Sequence, residues 1–412
     1  MAASNNLVVN RIVMLILLSY PMLLLAVQGG MNALLFLLVI TSFFYLFRMP
    51  RSPATRLWDG YGIAFAIAMA SPILAVLFSQ AYHGIFSAPS FDGPSRFLFA
   101  IPVFLALRQM EMRTITILQY GLPLGALSAL FVAMIAWPKW EVDHSYFVNS
   151  IHFGDLALML GFLSLFSINC VSRDRVPLLF LKICGFLAGL YLSVQSDARG
   201  GWVAFPVLLF IWWLSHNPKN SWPKRMAAIL FILLVALLGY VLIGMIQHRM
   251  DLIYQDFADF LQGNKDTSIG IRLQLWQVAC YLFSGHPVFG VGPGGFAQMM
   301  TPLSDNGMLT PIAASYGRGE VHNEILAKAA DLGIFGLLSI VSVYAIPLII
   351  FMRSTRSRIS QERSAAFMGI CLVTGFFIFG LTVEIFNLKM TAAFYSLTVA
   401  VLLAAATHKT PS

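Results

Sequence analysis

The residues YGIAFAIAMASPILAVLFSQ, at 61–80, run for twenty positions without one charged side chain, and stretches like it recur along the whole chain. A helix of ~20 residues rises about 30 Å, the hydrocarbon thickness of a bilayer. Apolar runs near that length fall at about 9–28, 31–47, 60–80, 96–107, 114–136, 154–171, 178–195, 201–214, 226–246, 331–352, 365–383 and 391–407. In lipid, every backbone N–H and C=O must find its partner within the protein, which leaves helices or a closed barrel. Barrel strands alternate apolar and polar residues, whereas these runs are apolar throughout. The expected fold class is therefore all-α: a polytopic membrane protein with about twelve transmembrane helices. Composition agrees, since only 11% of residues are charged and 58% are hydrophobic, against roughly 25% charged in a soluble domain. The apolar run from Ile12 to Val27 is followed at once by another and reads as an uncleaved first span.

A net charge of +8 suggests nucleic acid at first sight. The basic residues, however, sit in short connections between apolar runs, where their meaning is topological. Membrane lipids are the implied surroundings, and no nucleic acid is implied. With the N-terminus placed in the cytoplasm, seventeen of the 26 lysines and arginines fall on the inner side and every inner connection is basic. Both termini are then cytoplasmic. The chain divides into 1–246 with nine spans and short loops, 247–330 as one large outer loop, and 331–412 with three spans and a short tail. In the outer loop, Met250, Ile253, Phe257 and Phe260 recur at helical spacing, as in a helix lying on a membrane surface. Arg272, Trp276, Ala279 and Phe283 share the face of a second helix that Gly285 and Pro287 stop.

Three outer-side clusters ask for more than anchoring. In QSDARGGW, 195–202, a short connection keeps Arg199 near membrane depth, where ionisable groups have partners or functions. A snorkelling arginine at a turn is the plainer reading. Arg272 precedes GHPVFGVGPGGF, 285–296, whose glycines offer backbone N–H groups for an anion nest or make an ordinary structural turn. In RGEVHNEILAKAAD, 318–331, His322 stands at the head of a helix near Arg318, whose positive charge favours a neutral imidazole able to accept a proton. Two arginines suit a pyrophosphate, because guanidinium donors match phosphate oxygens in pairs. A neutral histidine beside them suits deprotonation of a hydroxyl, and together these spell glycan transfer from a lipid carrier. Arg249 and Arg318 are second-rank candidates for phosphate contacts, and Arg249, at the end of a span, reads equally as an interfacial anchor. Glu141 and Asp143, in an outer loop with Trp137 and Trp140, would share a cation only on an extended backbone, so no metal and no cofactor is expected. Cys170, Cys184, Cys280 and Cys371 have no paired spacing and read as packing residues.

At these residues the chain resembles the bacterial O-antigen ligase and polymerase superfamily. The resemblance is carried by ARGGW (198–202), IRLQLW (271–276), HPVFGVGPGGF (286–296) and HNEILAKAADLGIFG (322–336), in that order across one large loop. It implies a fold related to the membrane glycosyltransferases of the GT-C type. It also implies metal-independent, inverting transfer of preassembled O-antigen from undecaprenyl pyrophosphate to lipid A–core oligosaccharide. The site would face the periplasm in the inner membrane of a Gram-negative cell. Arg199 and Arg272 match the family's pyrophosphate-binding arginines, and His322 its essential histidine. O-antigen polymerases and protein O-oligosaccharyltransferases share the donor and differ in acceptor. A transporter is the reading of a different class, disfavoured by polar residues gathered on one side instead of mid-membrane.

Overall fold

The computed structural model describes residues 2–49, 57–143, 147–196, 199–216, 226 and 244–408, with the backbone alone for 2–6, 136–143, 199–200, 244–250 and 252–253. Among the described residues the chain is helical and contains no strand. The helices are α1 (Ala2–Leu24), α2 (Gly30–Arg48), α3 (Gly60–His83), α4 (Asp92–Leu107), α5 (Met112–Thr116), α6 (Leu118–Asp143), α7 (Ser150–Phe166) and α8 (Val176–Gln195). They continue as α9 (Arg199–His216), α10 (Gly244–Leu261), α11 (Ser268–Gly285), α12 (Gly295–Asp305), α13 (Pro311–Gly317), α14 (Glu324–Ser354), α15 (Ser360–Gly380) and α16 (Lys389–Ala406).

Nine segments among the described residues are long and apolar enough to cross a bilayer, and α7 and α9 are shorter apolar helices. Each coincides with one of the twelve expected spans; the twelfth, 226–246, lies almost wholly outside the described residues. This is an all-α, multi-pass membrane protein. Several helices begin N-terminal to the expected spans, α4, α7, α14 and α15 among them. Helix α7 begins at Ser150 because the Asn149 side chain accepts from the peptide N–H of His152, one of the donors a helix start leaves open. Helix α4 begins at Asp92 and absorbs Pro94, which the first helical turn tolerates. The hub is α16, whose apolar window is 94% buried, packed by α2, α4, α14 and α15.

Two of the seventeen cations counted above on the inner side, Arg108 and Lys182, are interior struts. Arg108 grips both oxygens of Asp59 at 2.8 and 2.9 Å and the carbonyl of Thr407. Lys182 is fully buried against Asp174, Gln119 and the Ser167 carbonyl. A buried charge without such partners would cost several kcal/mol, so these residues hold helices together at that end as well as marking its charge.

The long helix α14 is broken at Gly333, whose φ of 65° and ψ of −148° no side chain tolerates. The break receives the glycine-rich loop that ends α11. Val291 and Gly292 donate to the carbonyls of Ala330 and Asp331, and Ile334 donates to Pro287. The approach is so close that a Cβ on Gly333 would stand 2.4 Å from the Val288 oxygen, and one on Gly290 2.3 Å from Asp331. Gly333→Ala should therefore undock the loop and cost at least about 2 kcal/mol, through strain and overpacking together. Thermal unfolding of the purified protein in detergent checks this, with Ala330→Gly, which makes no such clash, as the comparison.

Candidate functional site

The candidate site assembles where the large loop returns to the helical frame. Helix α13 ends at Gly317 and α14 begins at Glu324, capped by Asn323, whose side chain accepts from the N–H groups of Ile325 and Leu326. Between them His322 has φ +59°, one of two residues other than glycine with positive φ among the described residues. Such backbone strain persists where the surroundings impose it, and it gathers at functional sites. The ring is partly exposed, and its Nδ1 lies 2.9 Å from Glu320 Oε1, an ion-pair contact whose angle falls short of a well-formed hydrogen bond. The carbonyl of His322 accepts from the Trp276 indole at 3.4 Å.

That indole ties His322 to Arg272. Trp276 and Arg272 stand one turn apart on α11, positions whose side chains lie over the same strip of helix surface. Arg199 opens α9 at the same end of the bundle. Gly201, two residues on, packs so closely on α7 that an added Cβ would come within 2.9 Å of Asp155 Oδ1. His152, one turn earlier on α7, reaches the Glu384 carbonyl at 3.4 Å. The start of α9 is thereby linked to the loop that holds His322, while the Arg199 guanidinium lies outside the described residues. Arg249 falls within α10, and its side chain is likewise not described. Arg318 is exposed and donates to Thr301 at 3.4 Å, so the charged group beside the imidazole is the Glu320 carboxylate rather than this arginine.

Sequence reasoning missed the carboxylates. Glu384, in the loop between α15 and α16, accepts from the N–H of Val321 and donates its own N–H to Glu320 Oε2 at 3.2 Å. Glu324 accepts from Phe386 N–H at 2.8 Å and pairs with Lys328 at 3.2 Å. Burial works against the charge on Glu320, but His322 and the Glu384 peptide outweigh it and hold that carboxyl below its usual range. Glu384 goes the other way. Burial pushes it up to about 8 against the pull of Lys328, with Glu324 and Asp331 adding to the rise. The available signal was a lone acid in LTVEIFN between two apolar runs.

The glycine-rich loop is not an open nest. Gly294 and Phe296 donate to the two oxygens of Asp331, so the anion in it is the chain's own carboxylate. The Glu141 and Asp143 pair lies at the end of α6, where the backbone is helical rather than extended. Among the described residues no group of acids, histidines and cysteines is arranged to hold a metal ion. Beside the carboxylates a cavity of about 260 Å³ opens between α3, the 88–97 segment, the head of α14 and the 384–389 loop.

Residues 184–341 match the family described as O-antigen ligase. A protein of Haemophilus influenzae described as uncharacterized is 24% identical over 288 residues, covering 68% of this chain and 70% of the relative. An Escherichia coli K12 protein named O-antigen ligase is 22% identical over 217 residues, 49% of this chain and 51% of that one. The match thus spans about half the length of the relative whose activity is named.

The Glu384 carboxyl leads to a prediction. A carboxyl held above its ordinary value keeps a proton in the folded protein that the unfolded chain has already released. Stability contributed this way is present at low pH and lost as pH rises from about 4.5 toward about 8. Glu384→Gln, neutral throughout and still able to accept from Val321, should flatten the melting temperature across that window. A wild-type slope retained by the variant would assign it to another group.

Proposed function

We propose that this chain, a member of the O-antigen ligase superfamily through residues 184–341, is a membrane glycosyltransferase. It moves preassembled O-antigen from undecaprenyl pyrophosphate to lipid A–core oligosaccharide. The reaction takes place at the periplasmic face of the inner membrane, with both termini in the cytoplasm and residues 247–330 forming the periplasmic loop. The observation that carries this reading is His322, strained in backbone and paired with a carboxylate, placed against the helix that bears Arg272.

In the mechanism the acceptor hydroxyl attacks the anomeric carbon as the bond to pyrophosphate breaks. The Glu320 contact at Nδ1 turns the ring so that Nε2 accepts the hydroxyl proton. A sugar hydroxyl is a much weaker acid than imidazolium, so the proton leaves late, as the C–O bond forms. Arg199 and Arg272 meet the charge collecting on the departing pyrophosphate, each worth about 2–4 kcal/mol by analogy with preorganised donors. Arg249 and Arg318 contact phosphate at the periphery. Glu320, Glu324 and Glu384 fasten the turn that carries His322. The E. coli relative's printed name supports a ligase, and a polymerase would use the same donor and leaving group.

Reconstitution with undecaprenyl-pyrophosphate glycan and lipid A–core, scored for the joined product, tests the assignment. His322→Ala and Arg272→Ala should each lower turnover by about 10²–10³ while folded protein remains in the membrane. Glu320→Gln should lower kcat with KM little changed, because it orients the ring and binds no substrate. EDTA should leave the rate unchanged. Full turnover by the His322 variant removes the histidine from the chemistry. Glycan polymer built on the carrier, without joining to lipid A–core, reassigns the protein as a polymerase.

A further inference from the structure

We propose that the 260 Å³ cavity beside the carboxylates is a subsite for one uncharged sugar ring, separate from the place where pyrophosphate binds. It rests on the glycan-transfer reading above and adds the chemical class that this part of the site accepts. Its volume lies just below the ~300–1,000 Å³ of pockets that hold a drug-sized molecule, which suits a single ring better than an oligosaccharide.

Charge decides against a phosphate here. With Glu384 holding its proton, the wall carries the carboxylates of Asp92, Glu324 and Asp331 against the ammonium groups of Lys328 and Lys389, so an anion still enters against net negative charge. The ions are already engaged with one another, Lys389 with Asp92 at the rim and Lys328 with Glu324 inside. What they leave open is hydrogen bonding of the kind hydroxyls supply. Glu324 has no exposed side-chain surface and stays paired with the Lys328 ammonium at 3.2 Å, so it braces the wall and is closed to an occupant. A sugar hydroxyl donates to the part-exposed Asp92 carboxylate and accepts from an ammonium or carboxamide, here Lys328 or Asn387. Phe97 and Phe386 stand edge to face at 5.1 Å in the same wall and give apolar surface for the ring's C–H face.

The cavity is also joined to the chemistry. Glu324 and Glu384 line it and at the same time hold the 320–324 turn through the peptides of Phe386 and Val321. A ring bound there stands behind the loop that carries His322. Two sources supply this ligand chemistry, the terminal sugar of the acceptor and the carrier-proximal sugar of the donor.

The probe is a set of neutral hexose methyl glycosides, read by saturation-transfer NMR on the full-length protein in detergent. Ring protons should be saturated by wild type. The signal should fall by about tenfold in Ser90→Phe, which fills the mouth, and in Asn387→Ala, which removes a donor; a factor of that size corresponds to about 1.4 kcal/mol. Both positions are at least partly exposed, and unchanged melting in either variant suffices for the comparison. Inorganic pyrophosphate should not displace the sugar. No saturation by wild type, undiminished saturation in the folded variants, or displacement by pyrophosphate overturns the subsite. In the transfer assay, a KM raised for acceptor alone assigns the ring to the acceptor, and one raised for donor alone assigns it to the donor. Unchanged KM for both overturns the proposal. If wild type transfers nothing, the glycan-transfer reading fails, while the NMR comparison still decides the cavity.

Discussion

Carboxylates that accept from peptide N–H groups hold this molecule's chemistry in place. The turn at 320–324 and the loop at 384–386 leave the helical frame where backbone donors have lost their helical partners. Glu384 takes the N–H of Val321, Glu320 that of Glu384, and Glu324 that of Phe386. A peptide donor buried without a partner costs about 1–3 kcal/mol, so each bond removes a penalty and fixes a distance together. The strained backbone of His322 is affordable because the segment is pinned on both sides.

A second device works at the other end of the same short stretch. The break at Gly333 lets the glycine-rich loop lie against α14, and Asp331 ties that loop down through Gly294 and Phe296. The loop therefore serves as an internal clasp, and its N–H groups are not available to a phosphate. On the proposed glycan-transfer reading, pyrophosphate recognition falls to side chains, and guanidinium groups suit that task because their paired donors match phosphate geometry.

The frame was largely legible because lipid permits so few solutions: a charge-free run of bilayer length is a helix wherever it sits. The link from Arg272 to His322 was legible in part, since Trp276 shares a helical face with Arg272 and helical spacing can be read from one strand of text. Glu384 was not. Its partners lie about sixty residues away in the chain, on a different loop, and no periodicity connects them. The glycine loop was ambiguous for a related reason, and of its two readings the structure bears out the structural turn. Glycines advertise freedom of the backbone, but whether that freedom serves an outside anion or a neighbouring helix depends on what faces it. The inner-side cations carried two meanings at once, since Arg108 and Lys182 satisfy a charge count and also brace the interior.

The clasp at Gly333 has a bearing on inheritance. The strings at 286–296 and 330–336 are halves of one mechanical part, mated backbone to backbone with almost no clearance. Neither half can drift on its own. A chimera between distant cousins that exchanges one string and keeps the other would bring together surfaces shaped for different mates, so the smallest transplantable unit spans both.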